Sequence, residues 1–295
     1  MFLQEVNGFA LSIRRLTLAA IFRAGSGHPG GSLSAADILA VLYARELNWS
    51  ASQLNAFNRH RFVLSKGHAC PALYAAMAES GLCTREDVLR LRQLGSPTQG
   101  HPHVGALAWV DASTGSLGQG FSVALGMALG LRKQGSQSRA YVLLGDGELQ
   151  EGQVWEAAMA ASHHRAGNLC AIVDYNTLQS DAPNRLIMDI EPLYDKWRAF
   201  GWHVLETDGH DFDALTAAFN DARASLDVPV IIIAHTIKGK GVSFMEGVAA
   251  WHGSVKLRRD ETISALRELD CGRELIAELL DAPLESMLLP PAERQ

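Results

Sequence analysis

Ala140-Tyr-Val-Leu-Leu-Gly-Asp-Gly147, continued by Glu148-Leu-Gln-Glu151 and answered by Asp174-Tyr-Asn176, is the stretch on which the fold turns. Ala140 to Leu144 is an unbroken apolar run of strand length, and Leu169 to Val173 is a second. Between them Gln150 to Arg165 has a helical pattern, so the unit is strand, helix, strand. A right-handed crossover makes the two strands parallel and brings their carboxyl ends to one edge of the sheet. Asp146 and Asn176, thirty residues apart, then face one another at that edge. They offer hard oxygen ligands to a divalent cation and leave room for phosphate oxygens and water, the usual surroundings of Mg²⁺ at about 2.0–2.1 Å. Gly145 and Gly147 let the backbone approach a bulky anion closely. The competing reading is a plain βαβ turn, with glycines for geometry and Asp146 as a helix N-cap.

The same alternation runs outward in both directions. Phe9 to Ala24 has helical periodicity and stops at Gly25-Ser26-Gly27. Ser34 to Leu47 reads as a second helix, with Ser34 as N-cap and Asp37 three residues on. Arg61 to Ser65 is a short strand leading into Lys66-Gly67-His68, followed by helices from Pro71 to Ser80 and from Thr84 to Leu94. Gly95 to Gly115 is a Gly/Pro/His-rich loop too long for a simple connection, hence a functional candidate. Gly118 to Lys133 is a Gly/Ala-rich helix. Trp202 to Glu206 and Pro229 to Ala234 are strand-like, and Asp260 to Leu280 is helical before a Pro-containing end at Leu289-Pro290-Pro291. Alternating strands and helices predict an α/β fold, a mostly parallel sheet flanked by helices. In such sheets the site lies beyond the carboxyl ends of the strands, where Ser65, Gly145, Asp174 and His235 fall.

The chain has 295 residues, 47% of them hydrophobic and 20% charged, enough for a sizeable core in a globular protein. A net charge of −6 without a basic cluster argues against nucleic acid or an acidic membrane surface as partner. The four cysteines are scattered, with no metal-ligand spacing, and read as reduced thiols. With no signal-like start and no apolar run long enough to span a bilayer, the expected location is the cytoplasm.

Several of the eleven histidines sit in glycine-flanked loops: His28 in Gly-Ser-Gly-His-Pro-Gly-Gly, His68 in Ser-Lys-Gly-His-Ala, His101 in Gln-Gly-His-Pro-His and His252 in Trp-His-Gly. A single loop histidine is usually solvated or bonded to backbone. Four of them at strand-end loops point instead to a shared site, where imidazole donates to phosphate or sugar hydroxyls and moves protons. His103, His210 and His235 are read as packing or capping residues. Glu151 and Glu156 lie on the helix after the metal loop, where an acid in the first turn meets the dipole favourably by about 0.3–1 kcal/mol.

These segments, with Ser-Thr-Gly-Ser-Leu-Gly-Gln-Gly (113–120) and Gly-Trp-His-Val-Leu-Glu-Thr-Asp-Gly-His-Asp (201–211), resemble in order the amino-terminal half of transketolase, over about residues 10–255. The Gly-Asp-Gly to Asn unit is similar to the thiamine diphosphate signature. The resemblance implies thiamine diphosphate with Mg²⁺ (or Ca²⁺), and metal ligands at Asp146, Asn176 and the backbone carbonyl of Leu178. It implies that His28, His68, His101 and His252 line a substrate channel as candidate catalytic residues. Cofactor contacts would come from His68, Ser116, Leu117, Gly118, Gly145, Asp146, Gly147, Glu151 and Asn176. Glu151 would link two active sites across a subunit interface. Ser116 stands where transketolases often carry proline.

The resemblance also divides the chain, into a diphosphate-binding domain at 1–255 and a helical tail at 256–295 for packing or partner contact. In transketolases the glutamate that activates the aminopyrimidine, and most groups for the substrate phosphate, belong to a following pyrimidine-binding domain. The implied protein is therefore one subunit of a split transketolase, completed by a second chain in an α₂β₂ heterotetramer. Its reaction would be transfer of a two-carbon ketol unit from a ketose, free or phosphorylated, to an aldose. Rival expectations are a subunit like that of a 2-oxo acid dehydrogenase or deoxyxylulose-phosphate synthase, or a non-catalytic thiamine diphosphate-binding module.

Overall fold

The pairings between strands among the described residues are all parallel, in keeping with the two long apolar runs. The computed structural model describes residues 2–49 and 51–284. In chain order the elements are α1 (Phe2–Ala24), α2 (Pro29–Ser34), α3 (Ala36–Val41), β1 (Arg61–Leu64), α4 (Cys70–Glu79), α5 (Arg85–Leu89) and α6 (Gln119–Lys133). They continue as β2 (Ala140–Gly145), α7 (Gly152–His163), β3 (Leu169–Tyr175), α8 (Asn184–Ile187), α9 (Leu193–Ala199) and β4 (His203–Asp208). The chain then adds α10 (Phe212–Ala224), β5 (Val230–His235), α11 (Arg259–Glu268) and α12 (Arg273–Asp281). The strands lie in the order β1-β2-β3-β5-β4. The register sets Gly145 beside Asp174 and Asp174 beside Ala234, so the residues that follow meet at one edge.

Successive strand residues point to opposite faces, and both faces are buried. Val63, Val142, Leu144, Val173 and Ile233 pack with α6, α7 and Trp197 of α9. Phe62, Leu64, Leu143, Ile172 and Ile232 pack with α1, α3, α4 and α10. Where the sheet is covered on both sides its strands have no polar face, which is why β2, β3 and β5 read as unbroken apolar runs, whereas the edge strand β4 alternates buried and exposed residues.

Helix ends depart from the expected bounds for identifiable reasons. The helix expected from Ser34 to Leu47 is instead α2 and α3, continued by a π turn at Leu42–Glu46. Ser34 does not cap it: the hydroxyl donates to the buried Asp174 carboxylate, 2.6 Å away. Asp37 is buried and accepts from both terminal nitrogens of Arg14, Nη1 and Nη2, at 2.8 and 2.7 Å. Thr84 does cap α5, in a capping box with Asp87. That helix stops well short of Leu94, and Arg92 beyond it adopts a left-handed φ of 61°. The expected Asp260–Leu280 helix is split into α11 and α12, with Asp270 left-handed at φ 57° between them. Leu266, Leu269, Ile276 and Leu279 from this pair join the α1 side of the core. Arg15 and Arg23 of α1 donate to the carbonyls of Leu269 and Leu279, each at 2.7 Å. The Pro-containing end at 289–291 lies outside the described residues.

Candidate active site

A cavity opens at the carboxyl edge of β1, β2, β3 and β5, and the motifs singled out in the sequence converge on it. His28, His68, Leu117, Gly145, Asp146, Gly147, Asn176, Leu178 and His252 all line it. His101 stands beside it, its ring 6.4 Å from that of His28. Gly118 is buried behind the wall, its N–H donating to Glu148 at 2.8 Å. Ser116 and Glu151 are exposed and lie outside the lining.

Long-range backbone bonds bring the histidine loops together. Gly27 and Val255 exchange two hydrogen bonds, at 3.1 and 3.0 Å, joining the His28 loop to the His252 loop. The Thr114 hydroxyl donates to the Leu64 carbonyl at 2.7 Å, and Tyr74 donates to the His101 carbonyl at 3.1 Å, holding the long loop against β1 and α4. Glycine then makes room for imidazole. A Cβ on Gly253 would fall 2.5 Å from His28 Nε2, and one on Gly115 would fall 3.2 Å from the His101 ring. The rings of His28, His68 and His252 sit 5.1–5.9 Å apart.

Among the described residues no carboxylate pairs with these three rings, and burial with nearby cations disfavours their charged forms. Burial, then the Arg92 guanidinium, pushes His28 down to about 4. Burial and Lys238 push His252 down to about 3, and burial with Lys66 holds His68 well below its ordinary value. Neutral imidazole both donates and accepts, which suits sugar hydroxyls better than a cation would.

Other residues of the lining supply oxygen. Asp146 is buried and Asn176 nearly so, at 2% and 6% exposure. Burial, then the nearby Asp174, raises the Asp146 carboxyl to about 6. Asp146 also caps the turn at Gly147–Gln150, accepting the Gly147 N–H at 2.8 Å and the Thr177 N–H, as the turn reading of the motif requires. A buried carboxylate, the Asn176 amide and the Leu178 carbonyl lining one cavity are still a donor set suited to a hard divalent cation that also binds phosphate. A diphosphate with its metal therefore fits these residues. Among the described residues no group of three or more His, Cys, Asp or Glu could hold a metal by itself, in keeping with a site that needs ligand oxygens.

Three charged residues were not anticipated as parts of the site. Lys66 spans to the Gly31 carbonyl at 3.0 Å and pairs with Asp174, which also accepts from Ser34 and Thr236. Lys238 donates to the Leu178 carbonyl at 2.9 Å and lies 2.9 Å from His252 Nδ1. Burial, then Lys66, lowers its ammonium to about 8. Glu148 accepts from the Ser65 hydroxyl and from the N–H groups of Gly118 and Gly145, tying three cavity loops to one carboxylate. Each follows a strand end by only a few residues, which was the available signal. His210 is structural as expected, bonded to Asp37 at 2.6 Å and to the Ile237 N–H at 2.8 Å.

A family profile described as transketolase, thiamine diphosphate binding domain, matches residues 7–272. This chain belongs to the transketolase family. It is 45% identical over 258 residues to the 6-deoxy-6-sulfo-D-fructose transketolase subunit SqwG of a Clostridium species, covering 88% of this chain and 94% of that protein. It is 38% identical over 242 residues to one of the apulose-4-phosphate transketolase subunits of Phocaeicola vulgatus, covering 82% and 86%. Among solved structures, transketolase from Campylobacter jejuni superposes with a TM-score of 0.85 at 33% identity, over 90% of this chain but only 43% of that one. The transketolase subunits are thus matched over most of their length and the longer enzyme over less than half. No helix among the described residues is long and apolar enough to cross a membrane.

Proposed function

We propose that this chain is the diphosphate-binding subunit of a two-chain transketolase that moves a two-carbon ketol unit from a ketose, free or phosphorylated, to an aldose. The observation that carries this reading is one cavity lined by Asp146, Asn176 and Leu178 together with His28, His68 and His252, in a chain of this family. Asp146, Asn176 and the Leu178 carbonyl would hold Mg²⁺ or Ca²⁺ against the diphosphate of thiamine diphosphate. Gly145, Gly147, Leu117 and His68 would close around the cofactor, and Lys66 and Lys238 offset anionic charge in a protein of net charge −6. When bound, the cofactor supplies the electron sink for breaking the ketose C2–C3 bond. His28, His101 and His252, neutral and close together, orient sugar hydroxyls and pass protons between substrate oxygens.

A pyrimidine-binding domain on a second chain would complete the site, in an α₂β₂ heterotetramer in the cytoplasm. The two relatives named as subunits, each matched over more than 85% of its length, support a two-chain enzyme. The exposed Ser116 and Glu151 beside the cavity are available to that partner, and closure over the cavity would exclude water from the reacting sugar. Residues 1–255 would form the cofactor-binding unit, with α11 and α12 packed onto it through α1. Nucleic acid and membranes are not partners in this reading. The sugars in the two relatives' names, one a sulfonate and one a phosphate, make anionic ketoses the first class to assay.

The test is ketol transfer with thiamine diphosphate and Mg²⁺, using a panel of ketose phosphates and sulfonates. The chain is assayed alone and copurified with a pyrimidine-domain protein from a neighbouring reading frame. Activity only in the pair is expected. Activity of the chain alone would remove the need for a partner, and cofactor binding without transfer by any pair would favour the non-catalytic module.

A further inference from the structure

Arg92 places a guanidinium against the histidine cluster, and among the described residues no acid pairs with it. It follows α5, its own N–H closes a loop onto the Thr98 carbonyl at 3.0 Å, and its side chain is half-buried. Nη1 donates to the Ser26 hydroxyl at 2.7 Å, and Nη2 lies 3.5 Å from His28 Nδ1. Nε is buried and makes no hydrogen bond among the described residues. Sequestering a guanidinium without a carboxylate costs free energy. Its placement calls for a role that this cost supports.

A guanidinium carries five N–H donors and no acceptor. The ring nitrogen of His28 that faces it must therefore present its lone pair, because an N–H there would meet a cation head-on. Neutral imidazole carries one N–H, so that proton resides on Nε2. A Cβ on Gly253 would cover the ring edge bearing Nε2, at 2.5 Å from Nε2 and nearer still to Cδ2, so the glycine leaves that edge clear in the cavity that His28 lines. The groups around His28 are His68, His101, His252, Lys66, Lys238 and Arg92, all neutral or cationic, and together with burial they keep the ring uncharged.

We infer that Arg92 is a positioning residue that holds His28 as its neutral Nε2–H tautomer, so that the imidazole donates a hydrogen bond to an oxygen of the bound sugar. The sugar contact rests on the function proposed above; the tautomer does not. Arg92 then acts through His28, as an outer partner fixes the tautomer of a ligating imidazole.

Two measurements separate these parts. The full chain, labelled with ¹⁵N-histidine and with His28 assigned by His28→Gln, is recorded by NMR between pH 6 and 8. The expected spectrum shows a protonated Nε2 and a bare Nδ1 for His28. Arg92→Met should give tautomer exchange and a higher His28 pKa, while Arg92→Lys, which keeps a cation and donor, should restore much of the wild-type pattern. A wild-type His28 protonated on Nδ1 would overturn the inference without any variant, as would an unchanged His28 spectrum in Arg92→Met. In the assembled two-chain enzyme, Arg92→Met should lower kcat/KM for the donor ketose by roughly 10- to 100-fold, the range for loss of an orienting partner, with cofactor affinity unchanged by calorimetry. If the spectra respond as expected while kcat/KM stays at the wild-type value, the sugar contact fails and the tautomer assignment stands.

Discussion

Buried carboxylates carry much of the order at the residue scale, and their partners decide what each one does. Burial alone would raise the Asp37 carboxyl, but hydrogen bonds from His210 and Arg14 outweigh it and hold the group below its ordinary range. Asp37→Asn strips Arg14 of its counter-charge and should cost about 3–5 kcal/mol in urea unfolding. Because the folded-state value is depressed, this stabilisation is present above the unfolded value of about 3.9 and is lost as pH falls through the folded one. The gap between wild type and Asp37→Asn should therefore be full at pH 7 and shrink below about pH 4. A gap independent of pH would mean that packing, not charge, is what the substitution removes. Asp146→Ala should abolish Mg²⁺-dependent thiamine diphosphate binding in calorimetry, and retained affinity would return that residue to a turn-forming role. His68→Ala should cut turnover by about 10²–10⁴, the range for a lost proton-transfer group, while leaving the two-chain assembly intact by light scattering. Asp146 and Asn176 were legible because a strand, a glycine and an oxygen ligand are read from adjacent positions. Glu148 and Arg92 were not, because the contacts that bring them into the site, Ser65 to Glu148 across 83 residues and His28 to Arg92 across 64, belong to no short motif.

Close approach governs the scale of the element. Helix α6 meets the end of β1 at Gly120, where a Cβ would fall 2.8 Å from the Ser65 Cα, against backbone that cannot swing aside. Gly120→Ala should therefore push α6 outward and destabilise the fold by about 1–3 kcal/mol, the usual cost of overpacking. Thermal denaturation reads this as a loss of about 2–4 °C per kcal/mol for a domain of this size class. No change in Tm would show that the helix can slide without penalty. Ser65 also donates to Glu148, so the same shift should weaken cofactor binding. Strand positions were readable because a parallel strand buried on both faces must be apolar throughout. Helix ends were less so: Ser34 has the chemistry of an N-cap, yet the Asp174 carboxylate offers its hydroxyl a stronger, charged acceptor.

For the whole molecule, the cavity is the meeting point of four strand ends, and its contents should feed back on stability. A ligand that binds only the folded chain at about 100 times its Kd adds roughly 2.7 kcal/mol. Thiamine diphosphate with Mg²⁺ should therefore raise the Tm, EDTA should reverse the gain, and Asp146→Ala should show neither effect. A Tm indifferent to both ligands would sink the cofactor assignment for the isolated chain. The sequence by itself determined the α/β class, the parallel strands, the Gly-Asp-Gly to Asn unit and the four loop histidines, because each is written in local periodicity or short spacing. Only the tertiary structure decided that β5 inserts between β3 and β4, that Lys66 settles on Asp174, that Lys238 reaches Leu178, and that Arg92 faces His28. Those choices belong to contacts between residues far apart in the chain, where burial, charge balance and the space left by a glycine select one partner among many that local sequence leaves open.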